Sequence, residues 1–420
     1  MIKEAVNLIK SSWIDWIQFI LIGLLAPFFL FPSMKYIWIL FIVPLIWIWR
    51  RVAKNNYFER TILDWAIFIL AIQVFATCLT VPDLAFSLPK IAGVLFGIAF
   101  FYSVTTLLKT EKLLRAGIIL FLGGGVVLSF ISILGMIRSN VKYLDLLYKI
   151  SRPIPKINFN LPGAEKGFHP NAVGGTLILL IPLYIILIFL YLRRKKQNCL
   201  IYKNSLFLIF LFLGLLVTSA VLLLTQSRGS WIGLFLSCFI LLVAGGRRKK
   251  LGLLLIIFFL AVFLILLGVG RVSLSAKEAK EKILSRMELW NLAVETIAKH
   301  PGFGVGMNRI RKIPQFGYEQ AHVHNHLLHT AAELGIPGLL AYLAILIGAG
   351  FMCFDIWRKS NVGWMKMTAL GLGCGQLAHF IFGMADSIPL GAKVGIFFWF
   401  SLALIAAMYN YMLKRNIDLD

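Results

Sequence analysis

Apolar runs long enough to cross a bilayer recur along the chain, separated by short polar blocks. Twelve spans are read, at about 16–32, 36–50, 61–80, 88–108, 114–137, 171–192, 205–224, 229–245, 251–270, 328–354, 364–384 and 389–412. Each is near the length a helix needs to cross about 30 Å of hydrocarbon. The first two are short and carry Pro27, Pro32 and Pro44. The first apolar run is followed by many others and shows no cleavable leader pattern, so it reads as an anchor. The pattern predicts an all-α integral membrane protein with a single polytopic domain over 1–420. Two long polar stretches interrupt it, at 138–170 and 271–327. In the second, Ile283, Met287, Trp290, Val294 and Ile297 recur at helical spacing, opposite Glu281, Glu288, Asn291 and Glu295. That predicts an amphipathic helix at about 276–298, lying on the membrane surface or on the helix ends. Pro301 and the glycines of Gly302-Phe303-Gly304-Val305-Gly306 end it. With no strand before them, these glycines are no dinucleotide fingerprint.

Composition agrees. Of 420 residues, 60% are hydrophobic and 14% charged, where a soluble chain carries about a quarter charged. The net charge of +24 would suit nucleic acid, but the cations sit in short blocks between apolar runs, as topology signals do. No nucleic-acid partner is expected. The five cysteines, Cys78, Cys199, Cys238, Cys353 and Cys374, show neither metal spacing nor a disulfide framework. One set of short loops, with the termini, carries twenty-three basic residues, in groups such as Arg50, Arg51, Lys54 and Arg60, or Arg247 to Lys250. The other set carries Lys35, Lys90, Arg228 and Lys393. Short loops decide orientation, so both termini are expected in the cytoplasm and both long loops outside, in a cytoplasmic (inner) membrane. His169, His300, His322, His324, His326 and His329 then fall outside or at the outer rim, with His379 near it. The working face is expected to be extracytoplasmic.

Three sets of residues invite chemistry. Arg228 lies in Thr225-Gln226-Ser227-Arg228-Gly229-Ser230, a polar break between two apolar runs, where an arginine near membrane depth is costly and is kept for a reason. The bland reading is snorkelling to headgroups. Arg286 precedes Trp290 by one helical turn and reads equally as a solvated arginine. Two arginines on one face suit a diphosphate, whose oxygens match the guanidinium fork; Arg309, Arg311 and Lys312 add positive field. The histidines of His322-Val323-His324-Asn325-His326, with His329, offer a general base. The rival readings are a zinc site, for which the nearby carboxylates Glu319 and Glu333 are few, and a polar helix start capped by Asn325 or His324. His169-Pro170-Asn171 also reads as a helix start. Asp386 is a carboxylate near the same face, expected to cap a helix or pair with Lys393.

These residues resemble the bacterial O-antigen ligase and polymerase superfamily. The match is His324-Asn325, a nine-residue gap, Gly335 and Gly338. Arg228 in its glutamine-containing turn, Arg286 one turn before Trp290, the His-Pro-Asn at 169–171 and the Pro-Gly-x-Gly-x-Gly at 301–306 add to it. The resemblance covers roughly 165–350 and the twelve-span plan. It implies a GT-C-like glycosyltransferase that needs no metal or other cofactor and inverts configuration. Its donor would be an undecaprenyl-diphosphate-linked glycan; its acceptor would be a hydroxyl on lipid A-core or another surface lipid or glycan. By resemblance, Arg228 and Arg286 hold the diphosphate and His324 activates the acceptor hydroxyl. Asn325, His169, Asn171, His322, His326, Arg309 and Arg311 are further candidates for substrate binding.

Ligase and polysaccharide polymerase share these motifs, as does a branch that glycosylates protein. The two outer loops and the clean His-Asn match favour ligase. From another class, a lipid-linked glycan transporter or flippase needs ionisable groups at mid-membrane and usually shows repeats. Here no repeat is obvious and the ionisable groups collect at one rim.

Overall fold

The computed structural model describes residues 2–136, 157, 167–195, 205–244, 276–313 and 322–417. The expected span at 251–270, most of the 138–170 loop, and 271–275 and 314–321 of the second loop lie outside them. The described elements are α1 (Ile2–Leu30), a 3-10 helix (Met34–Phe41), α2 (Ile42–Lys54), α3 (Asp64–Thr80), α4 (Leu84–Leu107), α5 (Glu111–Gly135), α6 (Pro170–Leu177), α7 (Ile181–Lys195), α8 (Ser205–Thr225), α9 (Arg228–Ala244), α10 (Ala276–Lys299), a 3-10 helix (Arg309–Lys312), α11 (His326–Lys359), α12 (Gly363–Ala385) and α13 (Ile396–Ile417). Among the described residues there is no strand, and only Met136 and Phe168 form a bridge.

Nine segments among the described residues are long and apolar enough to cross a membrane, and the chain is a multi-pass membrane protein. α3, at 17 residues, covers only about 26 Å at 1.5 Å per residue, slightly less than the hydrocarbon core. Two expected spans are broken. The one at 171–192 is α6 and α7, divided by a buried turn at 178–180. The one at 328–354 is α11, kinked at Gly335. The second expected span begins as the 3-10 helix Met34–Phe41 before becoming α2.

α12 is the hub, packed on α7, α9 and α11. The approach to α9 is close: a Cβ on Gly233 would overlap the Ala378 carbonyl. Small residues permit such contacts where lipid supplies no hydrophobic drive between helices. Next to this core, α4 separates two polar ends. Beyond its C-terminus, Asp15 is buried and accepts from Arg50 at 2.8 Å and Lys109 at 3.0 Å, with Lys54 at 3.3 Å; Glu59 pairs with Lys109 and Lys414. A buried carboxylate is tolerable because it is fully paired. Burial by itself pushes the Glu59 carboxyl up, but Lys109 and Lys414 outweigh it and hold it below its usual value. The histidines collect around the other end of α4.

Candidate active site

Asn325 caps α11, accepting from the Leu328 N–H at 3.1 Å and donating to the Met384 carbonyl at 3.4 Å. Both ends of its amide thus serve the backbone, joining the start of α11 to the end of α12. Just before it, His324 takes a left-handed conformation (φ +55°), a state that costs a non-glycine residue roughly 1–2 kcal/mol and persists only when its surroundings hold it. The turn presents His324 to Asp386 at the C-cap of α12, with Nδ1 3.1 Å from Oδ1. The Asp386 side chain is 8% exposed and that of His324 30%.

Asp386 was expected to cap a helix or pair with Lys393, and it does occupy the C-cap of α12. Its carboxylate also gathers His324, the Ser387 N–H at 2.8 Å, and the Asn171 amide, which donates to the second oxygen. Burial pushes its carboxyl up, but the hydrogen bonds from His324, Ser387 and Asn171 prevail and hold it below the usual aspartate value. An ionised carboxylate only accepts, so Nδ1 of His324 is the nitrogen that donates to it, and in the neutral imidazole Nε2 is the nitrogen with a lone pair. Asp386 is the residue whose partners the sequence hid. Its partners lie 62 and 215 positions away, and no spacing rule connects them.

His169 is the N-cap residue of α6, and Pro170 begins the helix. It interacts electrostatically with Asp386 and His324, and burial holds its imidazole pKa below the usual value. The His-Pro-Asn motif therefore starts a helix and also delivers Asn171 to the Asp386 carboxylate.

Arg228 opens α9 and is exposed. The turn before it is tied by Ser227 to Ser230 (2.8 Å between hydroxyl oxygens) and by Thr225 to the Leu222 carbonyl at 2.6 Å. It is wedged between α6 and α12. A Cβ on Gly174 would lie 2.8 Å from Ser230 Oγ, and one on Gly229 would lie 3.4 Å from Phe382. Those two helices carry Asn171 and Asp386, so the Arg228 turn adjoins the dyad.

α10 covers the expected 276–298, with a different buried face. Leu289 and Ala293 are buried with Ile310, Val323 and Ala332, whereas Met287 and Val294 are more than half exposed. The small Ala293 lets α10 sit close to α11, which turns Met287 and Val294 outward. Trp290 Nε1 donates to the Val323 carbonyl at 3.1 Å and so holds the residue beside His324. Arg286, half-buried, lies one turn earlier on the same side of α10.

The glycine loop after α10 docks into the kink of α11. Gly335 has φ +72° and ψ 179°, and a Cβ there would lie 2.5 Å from the Gly302 carbonyl oxygen. The kink frees the carbonyls of Ala332 and Glu333, which accept from Val305 N–H at 2.8 Å and Gly306 N–H at 3.0 Å; the Ile336 N–H donates to Pro301 at 2.8 Å. Freed backbone groups at membrane depth must find such partners. The fixed gap between His324 and Gly335 is thus the length of helix between the N-cap turn and the kink that seats the loop. Glu333 adds a side-chain tie, accepting from the Asn308 N–H at 2.7 Å.

The other histidines lie apart from the His324–Asp386 pair. His326 is buried against Tyr342 with Nδ1 3.4 Å from Ser387 Oγ, and His329 Nε2 is 3.4 Å from Glu333. His322 packs edge-on against His329 at 5.8 Å, and burial, aided by neighbouring cations, holds its pKa well below the usual histidine value. His379 is buried and bonded to the Gly175 carbonyl at 2.8 Å. Among the described residues no three His, Cys, Asp or Glu side chains converge as a metal set. Arg309 and Arg311 diverge. Arg309 lines a cleft of about 630 Å³ with Thr80, Thr296, Lys299, His300 and Lys312, whereas Arg311 interacts with Glu333 and His322.

A search of curated proteins found no match to the chain. Residues 213–343, from within α8 through the Arg228 turn, α10 and the His324 loop to just past Tyr342, are similar to the family described as O-Antigen ligase.

Proposed function

We propose that the chain transfers a glycan from an undecaprenyl-diphosphate donor to an acceptor hydroxyl on the outer face of the cytoplasmic membrane, with ligase favoured over polymerase. The observation that carries this is the His324–Asp386 pair, with the Arg228 turn packed beside it. In this reading His324 Nε2 removes the acceptor hydroxyl proton as the oxygen attacks the anomeric carbon. The bond from that carbon to the diphosphate breaks on the opposite face, and undecaprenyl diphosphate leaves with the electron pair. One displacement inverts the anomeric configuration. Arg228 and Arg286 answer the charge growing on the leaving group, where electrostatic help lowers the barrier most. Asp386 orients the imidazole and stabilises the imidazolium, as the carboxylate does in a Ser-His-Asp triad.

The orientation rests on the basic residues. Arg50, Lys109 and Lys414 gather at the far end of α4 from His324, as the positive-inside rule requires if both termini are cytoplasmic. Metal independence rests on the family resemblance and on the sparse carboxylates near the histidines. Transfer that persists in a strong chelator would support it, and loss restored by zinc would overturn it.

The test is transfer by purified protein in nanodiscs from an undecaprenyl-diphosphate oligosaccharide, with His324→Ala alongside. Release of undecaprenyl diphosphate with a larger glycoconjugate, absent in His324→Ala, is the expected result. A single addition marks a ligase and a ladder a polymerase. No transfer by either protein with several donors and acceptors would sink the transferase reading in favour of transport or binding.

A further inference from the structure

The glycine loop after α10 closes a cleft of about 630 Å³ that the dyad does not use. One wall is the end of α10, with Leu292, Thr296 and Lys299. Another is the end of α3, with Thr80 and, just past it, Pro82. The loop and the 3-10 turn Arg309–Lys312 complete it. These walls are pinned by the protein itself. Val305 and Gly306 are bonded to the α11 kink. Asn308, at φ +65°, donates its N–H to Glu333 at 2.7 Å and its Nδ2 to the Phe86 carbonyl at 2.9 Å. Lys312 sits 2.6 Å from Asp83 and 4.2 Å over the Phe86 ring. A cleft held this way costs little ordering when it is filled.

Its lining has two characters. Lys299, His300, Arg309 and Lys312 are basic, and Glu295 is the carboxylate among them. Asp83 takes up Lys312 and also faces Arg309. Among the described residues, the side chains of Lys299, His300 and Arg309 make no hydrogen bond or close ion pair. The negative end of α10 accounts for Lys299 and His300, but Arg309 stands on a different element. The second character is apolar. The Phe303 ring is 50% exposed and, with Pro82 and Leu292, gives a flat surface beside the cations. Thr296 donates its hydroxyl to the Leu292 carbonyl at 2.7 Å, so its oxygen is left to accept. Cations suit an oxyanion; an aromatic face and hydroxyl acceptors suit a pyranose ring and its hydroxyls. A bare phosphate would leave Phe303 unused, and a neutral sugar would leave the cations unused.

We infer that this cleft binds an anionic saccharide, a sugar bearing a phosphate or carboxylate, at a site separate from the donor diphosphate. Arg309 adjoins Ile310, and Ile310 is buried with Val323, the residue before His324. The cleft is thus one packed layer from the His324 turn. It is built from α3, α10 and the glycine loop, whereas the Arg228 turn is wedged between α6 and α12. A role for the saccharide as a second handle on the acceptor rests on the transferase reading above; the binding itself does not.

The test is therefore binding. The full chain in phosphatidylcholine nanodiscs is titrated with glucose 6-phosphate, glucuronate and glucose, read by saturation-transfer NMR, with inorganic phosphate as competitor. Undecaprenyl diphosphate is followed separately by thermal shift. The ring protons of glucose 6-phosphate or glucuronate should receive saturation and those of glucose should not. Inorganic phosphate should compete only at about tenfold higher concentration. Arg309→Gln should weaken the anionic sugar about tenfold, the worth of one charge-assisted hydrogen bond. Lys299→Gln, at an exposed helix end, should weaken it several-fold and leave undecaprenyl diphosphate unchanged. Phe303→Ala should weaken the sugar but not phosphate. Binding that is absent, or indifferent to both cation variants, would overturn the inference. Equal weakening of undecaprenyl diphosphate by Lys299→Gln would assign the cleft to the donor and overturn it too. So would displacement of the sugar by phosphatidylglycerol added to the nanodiscs, which would give the cleft to a lipid headgroup. A chain that transfers nothing still reports on this cleft, so the two readings fail separately.

Discussion

His324 and Asp386 stand 62 residues apart in sequence and 3.1 Å apart in space. Asp386→Asn keeps the shape but lets Nδ1 of His324 lose its fixed proton. Transfer should fall by roughly 10²- to 10⁴-fold, the range seen when a base loses its orienting carboxylate. Steady-state transfer beside a thermal unfolding curve checks this. A large activity loss with a modestly lowered midpoint is expected, and near-normal activity would remove Asp386 from the mechanism.

Acid should weaken the fold through His322 and His169. Their folded pKa values are depressed by burial, so below the ordinary histidine value of about 6.5 the unfolded chain binds more protons than the folded one. Stability is therefore full above that pH and declines as pH falls below it. The thermal midpoint should drop between pH 7 and 5.5, and His322→Asn should flatten the drop. Asp386 has the opposite chemistry: its depressed carboxyl contributes stability above its unfolded value of about 3.9 and loses it only in stronger acid.

Gly335→Ala tests the kink. A methyl group there meets the Gly302 carbonyl and forces a positive φ on alanine. The conformational term alone is roughly 1–3 kcal/mol, and the overlap adds to it. A lower thermal midpoint, with transfer reduced because the glycine loop no longer seats, is expected.

Arg228→Lys separates charge from geometry. Lysine keeps the charge but not the planar fork. If Arg228 grips the diphosphate in a bidentate way, the variant should show weaker donor binding, with acceptor dependence unchanged. Donor and acceptor titrations of the purified variant check it; an unaltered donor KM would reduce Arg228 to a headgroup contact.

Trp290→Phe removes the hydrogen bond to the Val323 carbonyl, worth about 1 kcal/mol. Stability should change little. Transfer should fall several-fold, because the strained His324 turn loses a tie. An activity equal to the unmodified chain would show that the turn is held by Asn325 and Asp386 alone.

The sequence by itself determined what depends on local pattern. Apolar run length gave the membrane helices, since the bilayer demands about twenty apolar residues whatever the neighbours are. The 3.6-residue period gave α10, and Asn325 was legible as a cap because capping is settled within four residues. The match at 213–343 falls on the stretch where the local motifs were densest.

Tertiary structure decided which of these residues meet. Which side of α10 faces the protein, and which segments the Asp386 carboxylate gathers beyond its C-cap position, each depended on which helix lies opposite. Periodicity names a face of a helix but not its partner, and the side of α10 set on α11 centres on Leu289 and Ala293 while keeping Trp290 and Ile297 of the expected stripe. Asp386 became a hub only because α6, the His324 turn and the end of α12 converge. The nine-residue gap to Gly335 became intelligible only with the glycine loop seated against it. Close packing through small side chains sets those meetings, and that information is distributed over helices hundreds of residues apart.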